Sequence, residues 1–450
     1  MLQTCLPIVR TLPANWFNAR RHWRSERASY RLWWSGPVRQ GTRRARDCSR
    51  TLVGTFAEHP ERATPVATLS AATTTGLVDL TAKRLAEADA PGAVIALVVD
   101  GEPWTMAVGH ADLARSVPLE ASARFPLYSI TKTLIATLLL KLIEGEESLG
   151  LDDTIQQRLP EFPVERPILL RQALNHTGGL PDYGGLARYH QDLREHPSRP
   201  WSPRRFLNET LGDGLLYMPG HGWRYSNIGY MLLRQIAEEE SGLPLSLLMR
   251  QVLVVPFGLE SLGVAIVPAD LQQLTPGFST ALNDDHVLED VTHRYHPGWV
   301  AHGLATGTAL DTATLLWLLF GEQRVLDEFL LEEMLIGAPV ANNHPWMEQP
   351  AYGLGVMMDP ANRYGVVAGH TGGGPGFSTA AYYLPDVGGS RVSVVAFVNR
   401  DGSDAATDLV FMLAEHLASS RNRQVSNRPQ SLSTRPRPVD DQPEDSVERM

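Results

Sequence analysis

With 450 residues, the chain can bury a full hydrophobic core in one large domain or two closely packed ones. Its 43% hydrophobic and 20% charged residues are typical of a globular protein, and its net charge of −10 argues against a nucleic-acid-binding surface on the body of the protein. Both cysteines, Cys5 and Cys48, lie near the N-terminus, which excludes a disulfide framework and a cysteine metal site from the core.

The two ends of the chain differ in composition from its body. Residues 1–70 are rich in arginine and lack the order of regions found in a signal peptide, so the sequence predicts a disordered basic leader and no secretory signal. An organellar presequence fits this composition, but a mis-assigned translation start is the preferred interpretation. Residues 419–450 are polar and proline-rich, which predicts a disordered tail. No apolar run reaches the roughly 18 residues of a transmembrane segment, so we expect a soluble protein, with the cytoplasm as the favoured location.

The first predicted elements are a helix and a β-hairpin. The helix begins near Thr75, and its apolar stripe at helical spacing consists of Leu77, Val78, Thr81 and Leu85. The stretches GAVIALVV and PWTMAVG flank Asp100-Gly101, a pair that tolerates positive φ, and this pattern predicts two antiparallel strands. A second helix is predicted from Ser129 to Gly145, where leucines recur every four residues.

The rest of the chain changes from helical to strand periodicity. Residues 150–330 predict helices joined by long loops rich in glycine and proline, among them a helix at 167–175 with a proline at its start. Towards the C-terminus the stretches YGLGVMM, GVVAG, FSTAAYYL and RVSVVAFV read as strands, and DAATDLVFMLAEHLA as a closing amphipathic helix.

Strands at both ends with helices between them predict an α+β fold. We expect one antiparallel sheet, built from both chain ends and flanked by helices, with a largely helical inserted subdomain. The expected domain spans residues 75–418. Its sheet lobe comprises about 75–150 and 330–418, and its helical lobe about 150–330.

The segment Ser129-Ile130-Thr131-Lys132 places a hydroxyl and an amine three residues apart at a predicted helix start. Residues at this spacing share one helix face with Cβ atoms about 5–6 Å apart, so Lys132 can take the proton of Ser129. Unpaired N–H groups of the first helical turn favour the negative charge that develops. By itself the pattern fits equally well an N-cap serine followed by a solvated lysine. Only Lys83, Lys132 and Lys141 are lysines among 40 basic residues, which suggests a need for an amine that can lose its proton.

The segment Tyr225-Ser226-Asn227 precedes another predicted helix, in PGHGWRYSNIGYMLL. A purely structural interpretation makes Asn227 the N-cap and Tyr225 a half-buried aromatic residue. In combination with Ser129 and Lys132, a functional interpretation is favoured. A phenolate held near an ammonium can act as general base, and an asparagine can fix the amine and hold a substrate carbonyl.

The tetrapeptide His-Thr-Gly-Gly occurs twice, with different local contexts. The first copy, at 176–179, follows the predicted helix at 167–175 and places Gly178 and Gly179 at a left-handed C-cap, so it is predicted to end that helix. The second copy, at 370–373, lies between an apolar stretch and an alternating one, where glycines let a ligand or another backbone approach closely. There the N–H of Gly373 could join the N–H of Ser129 in a two-donor oxyanion hole.

In order and approximate spacing, Ser129-x-x-Lys132, Tyr225-x-Asn227 and His370-Thr371-Gly372 resemble the motifs of the class C β-lactamase family of serine hydrolases. That family also includes D-alanyl-D-alanine carboxypeptidases and esterases. In the related set Ser-x-x-Lys, Ser-Asp-Asn and Lys-Thr-Gly, tyrosine here replaces the serine of the second motif and histidine the lysine of the third. Similar stretches outside the motifs are LNHTGGLPDY, PFGLESLG and GLATGTALDTATLLWLL, and the resemblance spans about residues 75–418.

The resemblance implies that His370, Thr371, Gly372 and Gly373 line an active site and that His176 belongs to a structural loop near its rim. Together with the residues, it predicts a serine hydrolase that cleaves an ester or amide through an acyl-enzyme on Ser129. Lys132 and Tyr225 would share the base role, and which of them dominates stays open. Asn227 would help to bind substrate.

Substrate class is a finer expectation. A histidine at position 370 is mostly neutral at pH 7 and supplies no permanent cation for a substrate carboxylate, so an ester substrate is favoured. A β-lactamase or a D-alanyl-D-alanine carboxypeptidase is the alternative, and a non-catalytic binding or scaffold relative is the second alternative.

No cofactor is expected. His293, His296 and His302 lack ligand-like helical spacing and nearby carboxylates, so we interpret them as loop or core histidines and not as a metal site. The expected partner is a small ester, amide or peptide substrate, with no nucleic acid, and the oligomeric state is left open.

Overall fold

The computed structural model describes residues 69–426, apart from 147, 165, 284 and 342–343. The predicted leader therefore lies almost wholly outside the described residues, as do residues 427–450 of the predicted tail. Residues 419–426, which the sequence assigned to that tail, instead continue the last helix. Within the described part of the chain, no helix combines the length and the apolar character that a membrane crossing requires.

Helices and strands follow one another along the chain much as the periodicity predicts. The α-helices are α1 (Ala71–Glu87), α2 (Thr131–Gly145), α3 (Ile155–Arg158), α4 (Leu170–Leu174), α5 (Ala187–Glu195), α6 (Pro203–Thr210), α7 (Asn227–Ser241), α8 (Leu245–Met249), α9 (Val255–Phe257), α10 (Ala309–Leu316), α11 (Glu328–Met334) and α12 (Ala405–Ser426). The strands are β1 (Gly92–Val99), β2 (Glu102–Gly109), β3 (Arg124–Pro126), β4 (Gly263–Ala265), β5 (Phe278–Ser279), β6 (Glu289–Asp290), β7 (Leu304–Thr308), β8 (Ala338–Pro339), β9 (Ala351–Tyr352), β10 (Met357–Asn362), β11 (Gly365–Gly374), β12 (Phe377–Leu384) and β13 (Val392–Val398).

The main sheet has eight antiparallel strands in the order β2-β1-β13-β12-β11-β10-β9-β8. Strands β1 and β2 come from the N-terminal part of the chain, and the other six come from the C-terminal part. The predicted α+β fold, with one sheet built from both chain ends, is therefore confirmed. Two small sheets, β3-β7-β4 and β5-β6, use strands from the intervening sequence.

The β1–β2 hairpin and the cores on both sides of the sheet explain why β1 is apolar throughout. Asp100 and Gly101 both have positive φ, at 51° and 94°, as the tight two-residue turn requires. Alternate residues of β1 then belong to different cores: Ile95 packs in the cluster that includes α1 and α12, and Val94 in the cluster that includes α2 and α7. A strand buried on both faces is expected to read as a continuous apolar run.

Three local predictions are wrong in detail. The helix predicted at 167–175 is confined to Leu170–Leu174, because Leu169 is extended and the carbonyl of Ile168 accepts a 2.8 Å hydrogen bond from the N–H of Ile155. After this helix, His176 (φ 63°) and Gly179 (φ 73°) take the left-handed conformation, and Gly178 does not. In α1, Val78 is 37% exposed and lies outside the buried stripe.

Strand β11 lies directly against the turn that precedes α2. A Cβ atom built on Gly372 would lie 2.3 Å from the carbonyl oxygen of Leu127, and one on Gly374 would lie 2.1 Å from the ring of Tyr128. A Cβ atom on Gly373, between them, would meet nothing within 4 Å. Glycine at 372 and 374 therefore permits the close approach, and the other face of the strand opens to free space.

This contrast predicts opposite outcomes for two neighbouring substitutions. Gly372→Ala must push β11 away from a backbone carbonyl, and overpacking of this kind lowers the free energy of unfolding by about 1–3 kcal/mol. Gly373→Ala has room for its methyl group and should change it by less than about 1 kcal/mol. Urea denaturation followed by circular dichroism measures both, and equal losses would contradict the proposed close approach.

Candidate active site

Ser129 lies in a 3₁₀ turn, Tyr128–Ile130, that leads directly into α2. Strand β7 holds this turn from both sides. The N–H of Leu127 donates to the carbonyl of Ala305 at 2.7 Å, and the N–H of Ala305 donates to Oγ1 of Thr131 at 3.1 Å. The turn that carries the serine hydroxyl is thereby fixed to the sheet before the helix begins.

The structure brings together the tips of Ser129, Lys132 and Tyr225. The phenol O–H of Tyr225 donates to Oγ of Ser129 at 2.7 Å, and Nζ of Lys132 lies 3.2 Å from the same oxygen. Nζ also donates to Oδ1 of Asn227 at 2.7 Å. Two polar groups, the phenol and the amine, thus converge on one hydroxyl oxygen, and Asn227, 95 residues from Lys132 in sequence, holds the amine.

Asn227 is held in place by a residue that the sequence interpretation missed. Ser226, and not Asn227, is the N-cap of α7, because its Oγ accepts from the N–H of Gly229. Asp182 accepts from the backbone N–H of Asn227 at 2.8 Å and from its Nδ2 at 3.3 Å, which turns Oδ1 towards Lys132. The family-like stretch LNHTGGLPDY contains Asp182, and this was the only signal in the sequence that could have pointed to it.

Lys132 is the buried member of the three lysines. Its exposure is 0%, whereas the side chain of Lys83 is 72% exposed and Lys141 pairs with Glu144 on the outside of α2. Burial lowers the pKa of Lys132 well below its ordinary value, and the negative charge of Asp182 opposes this shift only in part. The amine therefore loses its proton far more readily than a solvated lysine.

Tyr225 is affected in the opposite sense. Burial raises the pKa of its phenol, although the hydrogen bond with Ser129 works against the increase. The phenol therefore keeps its proton, and its O–H group donates a hydrogen bond to Oγ of Ser129. Because Oγ already accepts a hydrogen bond from the phenol, the hydroxyl proton of Ser129 can be directed at the neutral amine of Lys132.

His370 is a neutral, buried imidazole. Its Nδ1 lies 2.5 Å from the carbonyl of Thr371, which can only accept, so Nδ1 carries the proton and Nε2 accepts from the hydroxyl of Tyr352 at 2.8 Å. Burial lowers the pKa of His370 to about 3, and the charge that Lys132 carries whenever it is protonated acts in the same direction. The ring is 1% exposed and therefore offers substrate no cation at pH 7.

Thr371, Gly372 and Gly373 occupy a partly unpaired edge of β11. Strand β11 pairs with β12 over residues 368–374 but with β10 only as far as Gly369. Beyond that point the second edge of the strand has no neighbouring strand among the described residues. Gly373 is exposed there, beside the turn that holds Ser129.

Two histidines outside the predicted set also contact the site. The ring of His176 lies 4.4 Å from that of Tyr225, so this residue packs behind the phenol and not at the rim. Nε2 of His302 lies 3.3 Å from Nζ of Lys132. The described residues contain no group of three or more His, Cys, Asp or Glu side chains that could hold a metal ion.

Known proteins share this arrangement of sequence and fold. A family model described as Beta-lactamase matches residues 77–417. Penicillin-binding protein 4* of Bacillus subtilis (strain 168) is 26% identical over 327 residues, which are 71% of this chain and 70% of that protein. A D-aminopeptidase of Gluconobacter oxydans (strain 621H) is 25% identical over 59% of this chain, and the match spans only 48% of that protein. The crystal structure of a D-stereospecific amidohydrolase from Streptomyces sp. matches with a TM-score of 0.63 and 26% identity, covering 76% of this chain and 99% of the other.

The buried imidazole of His370 predicts a specific pH dependence of stability. Its pKa is about 3 in the folded protein and near 6.5 in the unfolded chain, so between these values only the unfolded state binds the proton. The contribution to stability is therefore complete above pH 6.5 and is lost by about 1.4 kcal/mol per pH unit below it. We expect urea titrations at pH 4.5–7.5 to show that the free energy of unfolding falls with decreasing pH less steeply in His370→Gln than in the wild type, by that amount per pH unit. Since His176 and His302 remain in both proteins, equal slopes would count against a neutral His370.

Proposed function

The chain belongs to the Beta-lactamase family, and from this premise we propose that it is a serine hydrolase that forms an acyl-enzyme on Ser129 and cleaves amides or short peptides. One observation carries the proposal. A buried amine and a protonated phenol both contact Oγ of Ser129, at 3.2 Å and 2.7 Å. Such contacts between a nucleophile and its base are the signature of nucleophilic catalysis.

Lys132 is the base in this proposal, and Tyr225 is a donor. A neutral amine has two N–H donors and one lone pair. One N–H is directed to Oδ1 of Asn227, so the lone pair is available to the hydroxyl proton of Ser129. As Oγ attacks the substrate carbonyl, that proton moves to Nζ, and the resulting ammonium can then protonate the leaving amine. Water then takes the place of the leaving amine. It attacks the acyl group while its proton passes to Nζ, and Nζ returns a proton to Oγ as the acid product leaves.

The tetrahedral oxyanion needs two donors close to Ser129. The N–H groups of Ser129 and Gly373 suit this role, because Ser129 lies at a helix start and Gly373 on the unpaired edge of β11. Gly372, without a side chain, brings the two elements together. Thr371 lies next to the same edge and would face bound substrate.

Substrate preference rests on charge and on the relatives. A neutral His370 gives no ion pair to a terminal carboxylate, which argues against efficient turnover of penicillins or of D-alanyl-D-alanine ends. Relatives carry the names D-aminopeptidase and D-stereospecific amidohydrolase, and these favour an amide whose acyl part is a D-amino acid. Ester hydrolysis is the second candidate function, because an uncharged site accepts an ester equally well and the leaving alcohol is easier to expel.

A fluorophosphonate probe tests the nucleophile and its base together. We expect the wild-type protein to be labelled at Ser129, as shown by peptide mass mapping. Lys132→Arg places a permanently protonated guanidinium at this position, which cannot act as base, so its labelling rate should fall by a factor of about 10³. The matched control is Lys83→Arg, on the exposed face of α1, which should label at the wild-type rate. Absence of labelling in folded wild-type protein would instead support a non-catalytic scaffold.

A substrate panel tests the preference for amides. We expect D-alanine p-nitroanilide to be cleaved with a kcat/KM at least about 10-fold above that of its L-enantiomer, since this difference corresponds to only about 1.4 kcal/mol in the transition state. Nitrocefin and a D-alanyl-D-alanine peptide should be poor substrates. A panel in which p-nitrophenyl esters are the only substrates turned over would select the ester alternative.

A further inference from the structure

The phenol of Tyr128 is buried beside the nucleophile, and the proposed mechanism does not use it. Its oxygen lies 2.7 Å from the carbonyl of Pro375 and 2.5 Å from the hydroxyl of Tyr295. Since a carbonyl can only accept, Tyr128 donates to Pro375 and Tyr295 donates to Tyr128. Burial raises the pKa of both phenols, so both keep the protons that these hydrogen bonds require.

The backbone of Tyr128 is strained, and its side chain holds it in that state. Its φ of 44° lies in the left-handed region, which is uncommon for a residue with a side chain. The carbonyl of Tyr128 and the N–H of Ser129 belong to the same planar peptide, so the conformation of Tyr128 sets the direction of that N–H. Nε2 of His302 lies 3.4 Å from this carbonyl and so contacts the same peptide.

Pro375 connects this turn to the other proposed oxyanion donor. It lies in the turn between β11 and β12, two residues after Gly373. Gly374, between them, has no Cβ, and the ring of Tyr128 occupies the space that this atom would need, 2.1 Å from Cε1. The Tyr128 side chain therefore joins the serine turn to the end of β11 by packing and by a hydrogen bond.

We propose that Tyr128 is a positioning residue that sets the separation and direction of the N–H groups of Ser129 and Gly373, with Tyr295 as its second anchor. The inference rests on the proposed function, because these groups form an oxyanion hole only if Ser129 is the nucleophile. Donors in such a hole must lie about 2.7–3.1 Å from the oxyanion in the transition state. A displacement of about 1 Å can reduce the rate 10²-fold.

Removal of single hydroxyl groups tests the proposal. Tyr128→Phe keeps the ring that packs on Gly374 but removes both hydrogen bonds, whereas Tyr295→Phe leaves the bond to Pro375 intact. The matched control is Tyr189→Phe, which removes a 3.2 Å bond from a half-buried phenol to a different backbone carbonyl, that of Trp299. Steady-state kinetics on the best p-nitroanilide or p-nitrophenyl ester of the panel give kcat and KM separately, and fluorophosphonate labelling gives the acylation rate.

Tyr128→Phe should lower kcat and the labelling rate by about 10- to 100-fold with KM changed by less than about 3-fold, because the lost interaction acts in the transition state. The kcat and labelling rate of Tyr295→Phe should lie between those of Tyr128→Phe and the wild type, and those of Tyr189→Phe should equal the wild-type values. A merely structural role would lower the melting temperature of all three variants without this split between kcat and KM.

The outcomes separate this inference from the proposed function. Wild-type protein that is not labelled at Ser129 would refute the proposed function itself. Labelled wild-type protein with a folded Tyr128→Phe variant of equal kcat would overturn only the role of Tyr128. Should Tyr128→Phe fail to fold, Tyr295→Phe decides, since wild-type kcat in that variant would overturn the proposal and a reduced kcat at unchanged KM would support it.

Discussion

The burial of one amine is the constraint on which the rest of the site depends. Lys132 lies at 0% exposure on the first turn of α2, and water cannot solvate its ammonium there. A charge in such a place is unfavourable, so the group gives up its proton instead. The fold supplies the few polar partners that make the neutral amine acceptable: Asn227 on α7, the hydroxyl of Ser129 and Nε2 of His302. A hydrophobic side chain would suit this position better for stability, which is a usual sign that a residue is retained for function.

The positions of the strands could be predicted from the sequence because their pattern is local. Two-residue periodicity and the Asp100-Gly101 turn are properties of consecutive residues, and both survive in the folded protein. Long-range pairing is different in kind. The helix predicted at 167–175 is shorter in the structure because the carbonyl of Ile168 accepts a hydrogen bond from the N–H of Ile155, which lies outside the predicted helix. Helical spacing alone contains no information about that partner.

The same distinction applies to the candidate site. The contact between Ser129 and Lys132 follows from i, i+3 spacing, and motif order placed Tyr225 and Asn227 with them. Asp182, Tyr352 and His302 were missed, because each reaches the site by a tertiary contact that no spacing rule describes. The division of roles between base and donor was also left open by the sequence. The proposed division rests on burial, which moves the pKa values of Lys132 and Tyr225 in opposite directions.

The histidines of the two His-Thr-Gly-Gly segments both lie near the ring of Tyr225. The first copy leaves α4 through a left-handed His176, whose ring packs 4.4 Å from Tyr225, and the second copy lies in β11 with the His370 ring 6.3 Å from the same phenol. Burial lowers the pKa of both imidazoles, so neither is charged at pH 7. This neutrality matters for the proposed acylation, because the proton that leaves Ser129 would create a positive charge on Lys132. Two charged histidines beside it would oppose that step, whereas two neutral ones leave the ammonium to be stabilised by Asn227.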